Sequence, residues 1–570
     1  MMQCCEVFLG RVRRTIWHSN PSSTFPFVYA TPSRQPLFRP IANPIDFTAA
    51  CGGLTIIFKQ PSGARRNRVR FNFHTLSHVE MFNLQLLTSL VAGALALAVI
   101  RILQCPLSGI PGPWYTRFTR VVLKFYILAG REMYYIHDLH QRYGPVVRIS
   151  PTETAVADLA AFNQIHRVGS AFIKGPWYDS SPIGIFAMRD PKQHAQRRRL
   201  FARAFSKTAL RTNWEAEVRR TVERTVDRIK TDAQKESGSA DIFKWWTLMA
   251  TDIIAHLSFG ESFDMVGLGR KTDYVSAMQN SMISSGLRWE LPWLHAVARQ
   301  VPLKTLQDFF RCNDIIMVHA EKAVLNLRQS GSGAQNLFGQ MVDKSENEEG
   351  NGVVMGEGAT HHLSDLNVRL EATNLIIAGS DTTAVTLTYL VWAVLKRPEL
   401  QRRLEEEVAG LQASFAEIDV ETLPLLNSVI DETLRLYGAA PGALPRYVPE
   451  GGATMGGHFL QAGTVVSTQA YTLHRDGTIF PNPETFDENR FLEPQSPEQK
   501  LAFTPFGMGS RGCLGIHMAM MELRLAAALF FRECRGAKLS PDTTDAVMEM
   551  EQHFLVAPTG HFCNIVLPTS

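Results

Sequence analysis

The sequence lacks the residue spacings and the charge bias that mark several common classes of protein. Its eight cysteines include no C-x-x-C pair, which argues against a zinc ribbon, a thioredoxin-type site and covalent attachment of a c-type haem. Lysine and arginine (58) barely outnumber aspartate and glutamate (54), so nucleic acid is not an expected partner. There is no internal repeat, no G-x-x-x-x-G-K-[ST] phosphate loop and no G-x-S-x-G nucleophile elbow. What is left is a large globular protein of 570 residues.

A single long apolar run lies near the start of the chain. Residues 84–103 carry one charge, Arg101, and twenty helical residues reach across a hydrocarbon core of about 30 Å. Prolines 106, 111 and 113 then prevent the helix from continuing. A buried core helix and a cleaved signal peptide share this composition and are the alternatives. We predict one N-terminal transmembrane anchor over 81–104 and a Pro/Gly hinge over 105–113.

Residues 1–80 differ from the rest in charge. They contain ten basic residues and three acidic ones, with scattered proline and serine. If the body of the protein is cytosolic, these arginines lie on the opposite side of the anchor, against the usual bias of basic residues toward the cytoplasm. We predict a basic, disordered extension of doubtful function that a start at Met81 would omit. An arginine-rich transit peptide is the alternative.

The body over 114–570 reads mainly as amphipathic helix, as in residues 213–230, where apolar and charged residues alternate at helical spacing. Strand patterns are short and occur in residues 146–156 and 454–472. We therefore predict a mainly α fold with a small β part. A polar, Gly-rich segment over 330–362 predicts a surface connection.

Cys513 stands where a Gly-rich loop runs into a long apolar helix. Free N–H groups and the helix dipole at such a junction favour a thiolate. Gly509 and Gly515 allow the backbone to approach a flat molecule, and Arg511 offers a fork of donors suited to a carboxylate. A buried structural cysteine is the more common reading of an isolated cysteine.

Phe506, Gly509, Arg511, Cys513 and Gly515 together match F-x-x-G-x-R-x-C-x-G, and here the sequence resembles the cytochrome P-450 family of haem-thiolate monooxygenases. The resemblance implies the cytochrome P-450 fold, preceded here by the predicted transmembrane helix. It also implies haem b, with Cys513 as the axial ligand of the iron and Phe506 beside the sulfur. Arg511 and Gly515 are then part of the haem-binding loop.

Two more motifs of the family occur in the expected order. Glu432 and Arg435 form an E-x-x-R on one helix face, and Arg490 lies in a segment that resembles P-x-x-F-x-x-x-R-F. By resemblance these three residues form a network beneath the haem. We interpret them as haem-supporting residues and not as catalytic acids.

A helix starting near residue 364 and ending before Pro398 carries Asp381 and Thr382 within an apolar stretch. By resemblance this helix crosses the distal face of the haem, Ala378 and Gly379 leave space for O2, and the acid–alcohol pair delivers protons. The alternative is a threonine whose hydroxyl bonds back to the carbonyl four residues earlier.

The resemblance also implies contacts with the haem propionates. His194 and Arg198 lie four residues apart on one helix and resemble a propionate-binding pair, and Arg446 follows a proline where the family often has another cation. We expect substrate contacts from residues 177–188, 290–301 and 438–444. A basic face for docking an acidic reductase is hypothesised on the same helix as His194, from Arg197, Arg199, Arg203 and Lys207.

The resemblance implies a monooxygenase that inserts one oxygen atom of O2 into a small apolar substrate, with electrons from NADPH through a separate flavoprotein reductase. The predicted location is the endoplasmic reticulum membrane, single-pass, with the catalytic domain in the cytosol. The motifs look most like filamentous-fungal members that modify polyketides, terpenoids or alkaloids. A haem-thiolate isomerase or dehydratase, a xenobiotic-detoxifying enzyme and a non-enzymatic haem protein are the alternatives.

Overall fold

A computed structural model describes residues 46–50, 53–57, 68–72, 78–103, 105–180, 184–235, 238–310, 312, 337 and 365–568. Most of the predicted extension over 1–80 lies outside the described residues. So does the predicted connection over 330–362, apart from Leu337. Those two expectations stay predictions.

The chain divides into a unit of residues 2–104 and a unit that begins at Cys105 and ends at Ser570. The described part of the first unit contains three short antiparallel strands, which the sequence analysis did not predict, and one helix. The elements are β1 (Asp46–Ala50), β2 (Gly53–Ile57), β3 (Arg68–Asn72) and α1 (His78–Leu103). Helix α1 covers the apolar run and extends six residues before it.

Helices form most of the second unit, as the sequence predicted. In chain order they are α2 (Val121–Leu128), α3 (Glu132–Tyr143), α4 (Leu159–His166), α5 (Pro191–Ala202), α6 (Lys207–Ala233), α7 (Ile242–Phe259), α8 (Met265–Leu268), α9 (Asp273–Glu290), α10 (Pro292–Ala298), α11 (Lys304–Phe310), α12 (Asp365–Leu395), α13 (Pro398–Ala409), α14 (Glu417–Glu421), α15 (Pro424–Tyr437), α16 (Ala470–Leu473), α17 (Pro497–Ala502) and α18 (Ile516–Glu533).

The β part of this unit is small and is spread over four sheets. The largest has the order β4-β5-β10-β7, with β5 and β10 parallel and the other pairs antiparallel. The strands are β4 (Val146–Ser150), β5 (Glu153–Val156), β6 (Ala240–Asp241), β7 (Arg446–Tyr447), β8 (Ala453–Met455), β9 (His458–Leu460), β10 (Val465–Ser467), β11 (Lys538–Leu539), β12 (Met550–His553), β13 (Leu555–Pro558) and β14 (Asn564–Val566).

The ends of the site-bearing helices follow from local sequence. Asp190 caps α5 by accepting a hydrogen bond from the Gln193 amide, and Pro191 occupies the first helical position. Helix α12 ends at Leu395, three residues before the proline that begins α13. The start of α5 and the end of α12 are therefore fixed by residues visible in the sequence.

Helix α12 forms the centre of the body. It is long and apolar enough to cross a membrane by composition, yet 72% of its most apolar window, within Asn367–Leu395, is buried by the surrounding protein. It packs closely on α7 at Gly379. A β-carbon on this residue would lie only 2.8 Å from the side chain of Ile254. The missing side chain at Gly379 therefore serves the packing of α12 on α7. The expectation that Gly379 leaves space for O2 stays a prediction.

The Pro/Gly segment over 105–113 is fastened to the body by one buried arginine. Arg148 on β4 donates hydrogen bonds to the carbonyls of Leu107, Ile110 and Pro113 at 2.6–3.2 Å. Its Nε also donates to the Thr116 hydroxyl at 2.9 Å. The segment's stiffness therefore comes from this side chain as well as from its prolines.

Candidate functional site

The cysteine loop is held by its own backbone and by one helix neighbour. The Cys513 amide donates to the Phe506 carbonyl at 2.7 Å, and the Gly512 amide donates to the Gly509 carbonyl at 3.1 Å. Gly509 has φ +67°, and a β-carbon there would lie 2.0 Å from the carbonyl oxygen of His166 at the end of α4. Gly509 is therefore required by the contact with α4, whereas the sequence analysis assigned it to the approach of a flat molecule.

Cys513 is accessible to solvent although protein surrounds it. Its side chain is exposed, and enclosure by the body raises the pKa of its thiol, while the Gly515 amide and the positive charge of Arg198 act in the opposite direction. The Gly515 amide thus acts in the direction that the sequence analysis expects of the loop, and enclosure by the body opposes it. A metal ion that competes with the proton favours the thiolate form. Helix α18 begins three residues later, at Ile516.

Three basic side chains from separate segments lie close together at this loop: Lys174 and Arg446, which are buried, and Arg511, which is half-buried. Burial, then Arg511 and Arg446, lower the pKa of Lys174 to about 6, so its amine is largely charged at neutral pH only when an anion lies beside it. Burial, then Arg446, lowers the pKa of Arg511 to about 10. Arg446 is 5% exposed, and its Nε has no hydrogen-bond partner. Among the described residues, no ion pair neutralises any of the three.

The backbone contacts of these cations fix the surrounding loops. Arg511 donates to the carbonyls of Met188 at 2.6 Å and Arg189 at 3.0 Å. Lys174 donates to the Phe186 carbonyl and lies over the ring of Tyr178, 4.2 Å from its centroid. The sequence analysis missed Lys174, because an isolated lysine before a Gly-Pro pair gives no signal of burial.

His194 and Arg198 reach the same region from α5 but differ in what they contact. His194 is buried, and burial together with the charges of Arg511, Lys174, Arg198 and Arg446 lowers its pKa to about 3. Its imidazole is therefore neutral at physiological pH. Arg198 donates to the Gly512 carbonyl at 2.8 Å, next to Cys513.

The three residues of the predicted network come together. Arg435 makes two hydrogen bonds to the Glu432 carboxylate, at 2.7 and 2.8 Å, and Arg490 lies 3.2 Å from the same carboxylate. Glu432 and Arg435 are fully buried. Arg435 also donates to the carbonyls of His474 and Pro483 at 2.7 and 2.6 Å. Both arginines pair with the one carboxylate of Glu432, so every charged group of this network has a partner within the protein.

His474 links this network to the cysteine loop. Its Nε2 accepts a hydrogen bond from the Thr504 amide at 3.0 Å, so Nδ1 is protonated and donates to the Arg435 carbonyl at 2.9 Å. Burial lowers the pKa of His474 to about 3. The sequence analysis did not assign His474 this structural role.

Ala378 and Thr382 occupy an accessible stretch of the otherwise buried α12. Ala378 is exposed, while Asp381 and Thr382 are half-buried. The Thr382 hydroxyl donates to the Ala378 carbonyl at 2.6 Å, which is the back-bonding alternative. Its oxygen can still accept a hydrogen bond, so this geometry is compatible with both readings.

A buried hydrogen bond joins α12 to α18, the helix that begins three residues after Cys513. The carboxyl of Glu522 on α18 is hydrogen-bonded to Thr383, and burial raises the pKa of this carboxyl well above its usual value. Glu522 is 2% exposed. The sequence signal was an acid within the apolar run of α18, which the sequence analysis passed over.

Aromatic rings from two distant segments form a cluster near the buried cations. The ring of Phe554, between β12 and β13, lies 5.3 Å from Trp177 and 5.5 Å from Phe186, centroid to centroid. Phe554 has φ +80°, an uncommon backbone conformation for an aromatic residue. Two of the rings belong to the predicted substrate region 177–188; Phe554 was missed, because it is 368 residues away from Phe186 in sequence.

The other two predicted substrate regions have different surroundings. In 290–301, Glu290 is buried and lies 3.7 Å from Arg120, whereas Trp293 and Val297 are exposed. In 438–444, the Ala439 carbonyl accepts a hydrogen bond from the Val556 amide at 2.9 Å, which joins this segment to β13. The third segment therefore lies beside the hairpin that carries Phe554.

The hypothesised basic face is only half present. Arg199 and Arg203 are exposed, but Arg197 points inward and pairs with the buried Glu371 at 2.8 Å. Lys207 belongs to the next helix, α6, and pairs with Glu421. The assignment of Arg197 and Lys207 to this surface is therefore wrong, because one faces the core and the other is already neutralised.

The haem that the sequence resemblance implies fits these residues. Its two carboxylates would pair with Lys174, Arg446 and Arg511, which have no acidic partner among the described residues. Arg446 Nε is also a buried donor without a hydrogen-bond partner in that part of the chain. Cys513 offers an accessible sulfur inside the body. Phe506, half-buried against the core, lies in the same loop.

Comparison with known proteins agrees with this arrangement. The family model "Cytochrome P450" matches residues 111–564. The chain is similar to the cytochrome P450 monooxygenase cypX of Dothistroma septosporum, with 41% identity over 81% of this chain and 91% of the relative. It is also similar to stcB of Emericella nidulans, 42% identical (81% and 89% covered), and to aflV of Aspergillus parasiticus, 42% identical (82% and 94% covered).

We expect Lys174→Met to weaken haem retention, because it removes one of three cations that would face the propionates. The rate of haem transfer to excess apomyoglobin should rise by about tenfold. The control is Lys192→Met, since Lys192 is an exposed cation on α5. Equal transfer rates for wild type and Lys174→Met would show that Lys174 does not hold the group.

Proposed function

This chain belongs to the cytochrome P450 family, and from that premise we propose that it inserts one oxygen atom of O2 into a small apolar molecule of fungal secondary metabolism. The family uses haem b with a cysteine thiolate ligand and electrons from a redox-partner reductase. When bound, this group activates O2. The proposal concerns the reaction of this chain and the roles of its residues.

The proposal rests on one observation. An accessible sulfur, that of Cys513, lies near a cluster of three basic side chains that have no acidic partner among the described residues. Cys513 supplies the ligand, and Lys174, Arg446 and Arg511 supply charge for the propionates. His194, neutral and buried, can donate a hydrogen bond without adding charge. Arg435 and Arg490 both pair with Glu432, which supports a structural role for these three residues.

Proton transfer is assigned to Asp381 and Thr382. Both are half-buried beside the exposed Ala378, on a helix that is otherwise mostly buried. The Thr382 hydroxyl donates a hydrogen bond to the Ala378 carbonyl, so its oxygen can accept a hydrogen bond from a water molecule. Asp381, one residue away, would supply the proton. Few neighbouring water molecules would compete with this transfer in an apolar pocket.

We expect Thr382→Ala to divert reducing equivalents from product to hydrogen peroxide. Loss of the hydroxyl should lower the yield of oxygenated product per NADPH by about tenfold while NADPH is still consumed. The control is Thr388→Ala, which removes a buried hydroxyl that bonds back along the same helix. Peroxide and product are both measured with the native reductase, on a substrate identified among metabolites that accumulate on gene deletion.

The same assay separates the alternatives. Incorporation of one oxygen-18 atom from labelled O2, dependent on NADPH and reductase, is the expected result. Product formed without NADPH would indicate an isomerase or a dehydratase. A deletion strain with an unchanged metabolite profile but lower tolerance to foreign compounds would favour detoxification.

Membrane attachment at the endoplasmic reticulum, with the body in the cytosol, is the second part of the proposal. Helix α1 exposes its apolar side chains, with Leu90 and Leu95 each 63% exposed, and water is an unfavourable surrounding for such a helix. The body has its own apolar surface on two neighbouring elements. These are α2, with Phe125 exposed, and α10, with Trp293 exposed. Lys124 on α2 donates to the carbonyl of Glu290 at 2.7 Å, at the end of α9 and two residues before α10 begins.

We expect the full chain to stay in the membrane fraction after carbonate extraction, since twenty apolar residues in lipid resist alkaline washing. Deletion of residues 1–104 should release the protein into the supernatant with its haem spectrum intact. The full chain carrying Leu90→Arg and Leu95→Arg should behave like the deletion. Complete release of the wild-type chain would contradict the anchor.

The exposed part of α5 is proposed as the docking surface for the reductase. Arg199 and Arg203 are exposed, while Arg198 on the same helix contacts the residue before Cys513. A partner on this surface would therefore lie close to the cysteine loop. Two exposed cations attract an acidic protein, and salt weakens that attraction.

We expect the double variant Arg199→Glu, Arg203→Glu to be reduced about tenfold more slowly by the reductase at low ionic strength, with a smaller difference at high ionic strength. Reduction is followed by stopped flow under carbon monoxide. Arg142→Glu, a charge reversal at an exposed position of α3, is the control. An unchanged rate for the double variant would rule this surface out.

A further inference from the structure

The segment of residues 184–189 is tethered to the body at three points. Arg511 binds the carbonyls of Met188 and Arg189, and Lys174 binds the Phe186 carbonyl. The third tether is different in kind, because the Ile185 amide donates to both carboxylate oxygens of Glu371, at 3.0 and 3.1 Å. The first two tethers come from the cation cluster, whereas the third comes from α12.

Glu371 joins three elements through one carboxylate. Its side chain is fully buried on α12, ten residues before Asp381. Arg197 of α5 binds it at 2.8 Å and uses its other terminal nitrogen to bind the Asn367 side chain at 3.1 Å. Helix α12, helix α5 and the segment 184–189 therefore meet at this carboxylate.

The approach of the segment to α12 depends on a glycine. A β-carbon on Gly184 would lie 2.1 Å from Asn374 Nδ2 and 3.3 Å from Glu371 Oε2, so a larger residue would require the Asn374 side chain to move. The Ile185 amide then faces the carboxylate directly. Gly184 therefore lies against α12 beside the hydrogen bonds between the Ile185 amide and Glu371.

Stability alone does not explain a charged pair at this place. Replacing a buried ion pair with apolar residues of similar size is often neutral or stabilising, whereas removing one partner leaves a buried charge unpaired. What the pair does here is fix a loop whose next residue, Phe186, packs against Phe554 at 5.5 Å. The direction of the Phe186 ring is set by the backbone that Glu371 holds.

We propose that Glu371 is a positioning residue that holds residues 184–189 on α12 and so sets the Phe186 wall of the substrate pocket. The assignment of the pocket rests on the proposed function; the tether itself does not. Because Asp381 and Thr382 lie on the same helix, the wall and the proton-transfer residues keep a fixed spacing. Loss of the tether is expected to change how bulky ligands bind without loss of haem.

Two variants test the proposal on the full chain loaded with haem. Glu371→Gln keeps an acceptor for Ile185 but removes the charge opposite Arg197. The double variant Glu371→Leu, Arg197→Leu removes both charges and fills the space with apolar atoms. Gln196→Leu, at an exposed position of α5, is the matched control.

Hydrogen exchange over residues 184–190 is the first measurement, because it reads the tether without turnover. We expect the double variant to exchange about tenfold faster than wild type there, with Glu371→Gln intermediate and the control unchanged. Binding of two probes by the haem spectrum is the second. The dissociation constant of clotrimazole should change by about fivefold or more, and that of the small probe imidazole by less than about twofold.

Unchanged exchange in a haem-loaded double variant would overturn the proposal. So would failure of both variants to fold, since the pair would then support the fold as a whole and not the loop. Parallel changes for clotrimazole and imidazole would place the effect at the haem and would also overturn it. Faster loop exchange in a protein that proves to have no oxygenase activity would leave the tether standing and refute the proposed function alone.

Discussion

The position of one sulfur atom is the constraint on which the rest of the site depends. Cys513 has to be reachable from inside the body while its loop stays rigid, and the fold meets both demands with backbone contacts. The Cys513 amide is bound to the Phe506 carbonyl, Arg198 holds the Gly512 carbonyl, and Gly509 fits against the end of α4 only because it has no side chain. Any displacement of α4 or α5 would therefore move the sulfur.

Two buried groups of charged residues flank this loop, and the contrast between them separates support from binding. In the first group, Arg435 and Arg490 both pair with the Glu432 carboxylate and donate their remaining hydrogen bonds to nearby carbonyls. Lys174, Arg446 and Arg511 have no acidic partner in an ion pair among the described residues, and burial is the main cause that lowers their pKa values. A closed network holds the fold, whereas an open one awaits an anion. Haem, with its two carboxylates, fits the open group.

Sequence reasoning found the parts of the site that lie within short motifs. The mainly helical fold follows from periodicity, whereas the Cys513 loop, the Glu432–Arg435 pair and Arg490 were identified by their resemblance to short motifs of the family. Residues whose partners are distant in sequence were missed: Lys174, Glu371 and Phe554 become meaningful only when the chain is folded. Arg197 was misplaced for a related reason, since three consecutive arginines on one helix point in different directions and sequence alone does not say which faces the core.

The most direct test of the central claim is the absorption spectrum of the reduced protein under carbon monoxide. Wild type and a Cys534→Ser variant, which alters a buried cysteine at the end of α18, should both show the red-shifted Soret band of a sulfur-ligated haem. Cys513→Ser should lose that band. A wild-type protein that binds haem without the red-shifted band, or a Cys513→Ser variant that keeps it, would contradict the assignment of Cys513 as the iron ligand.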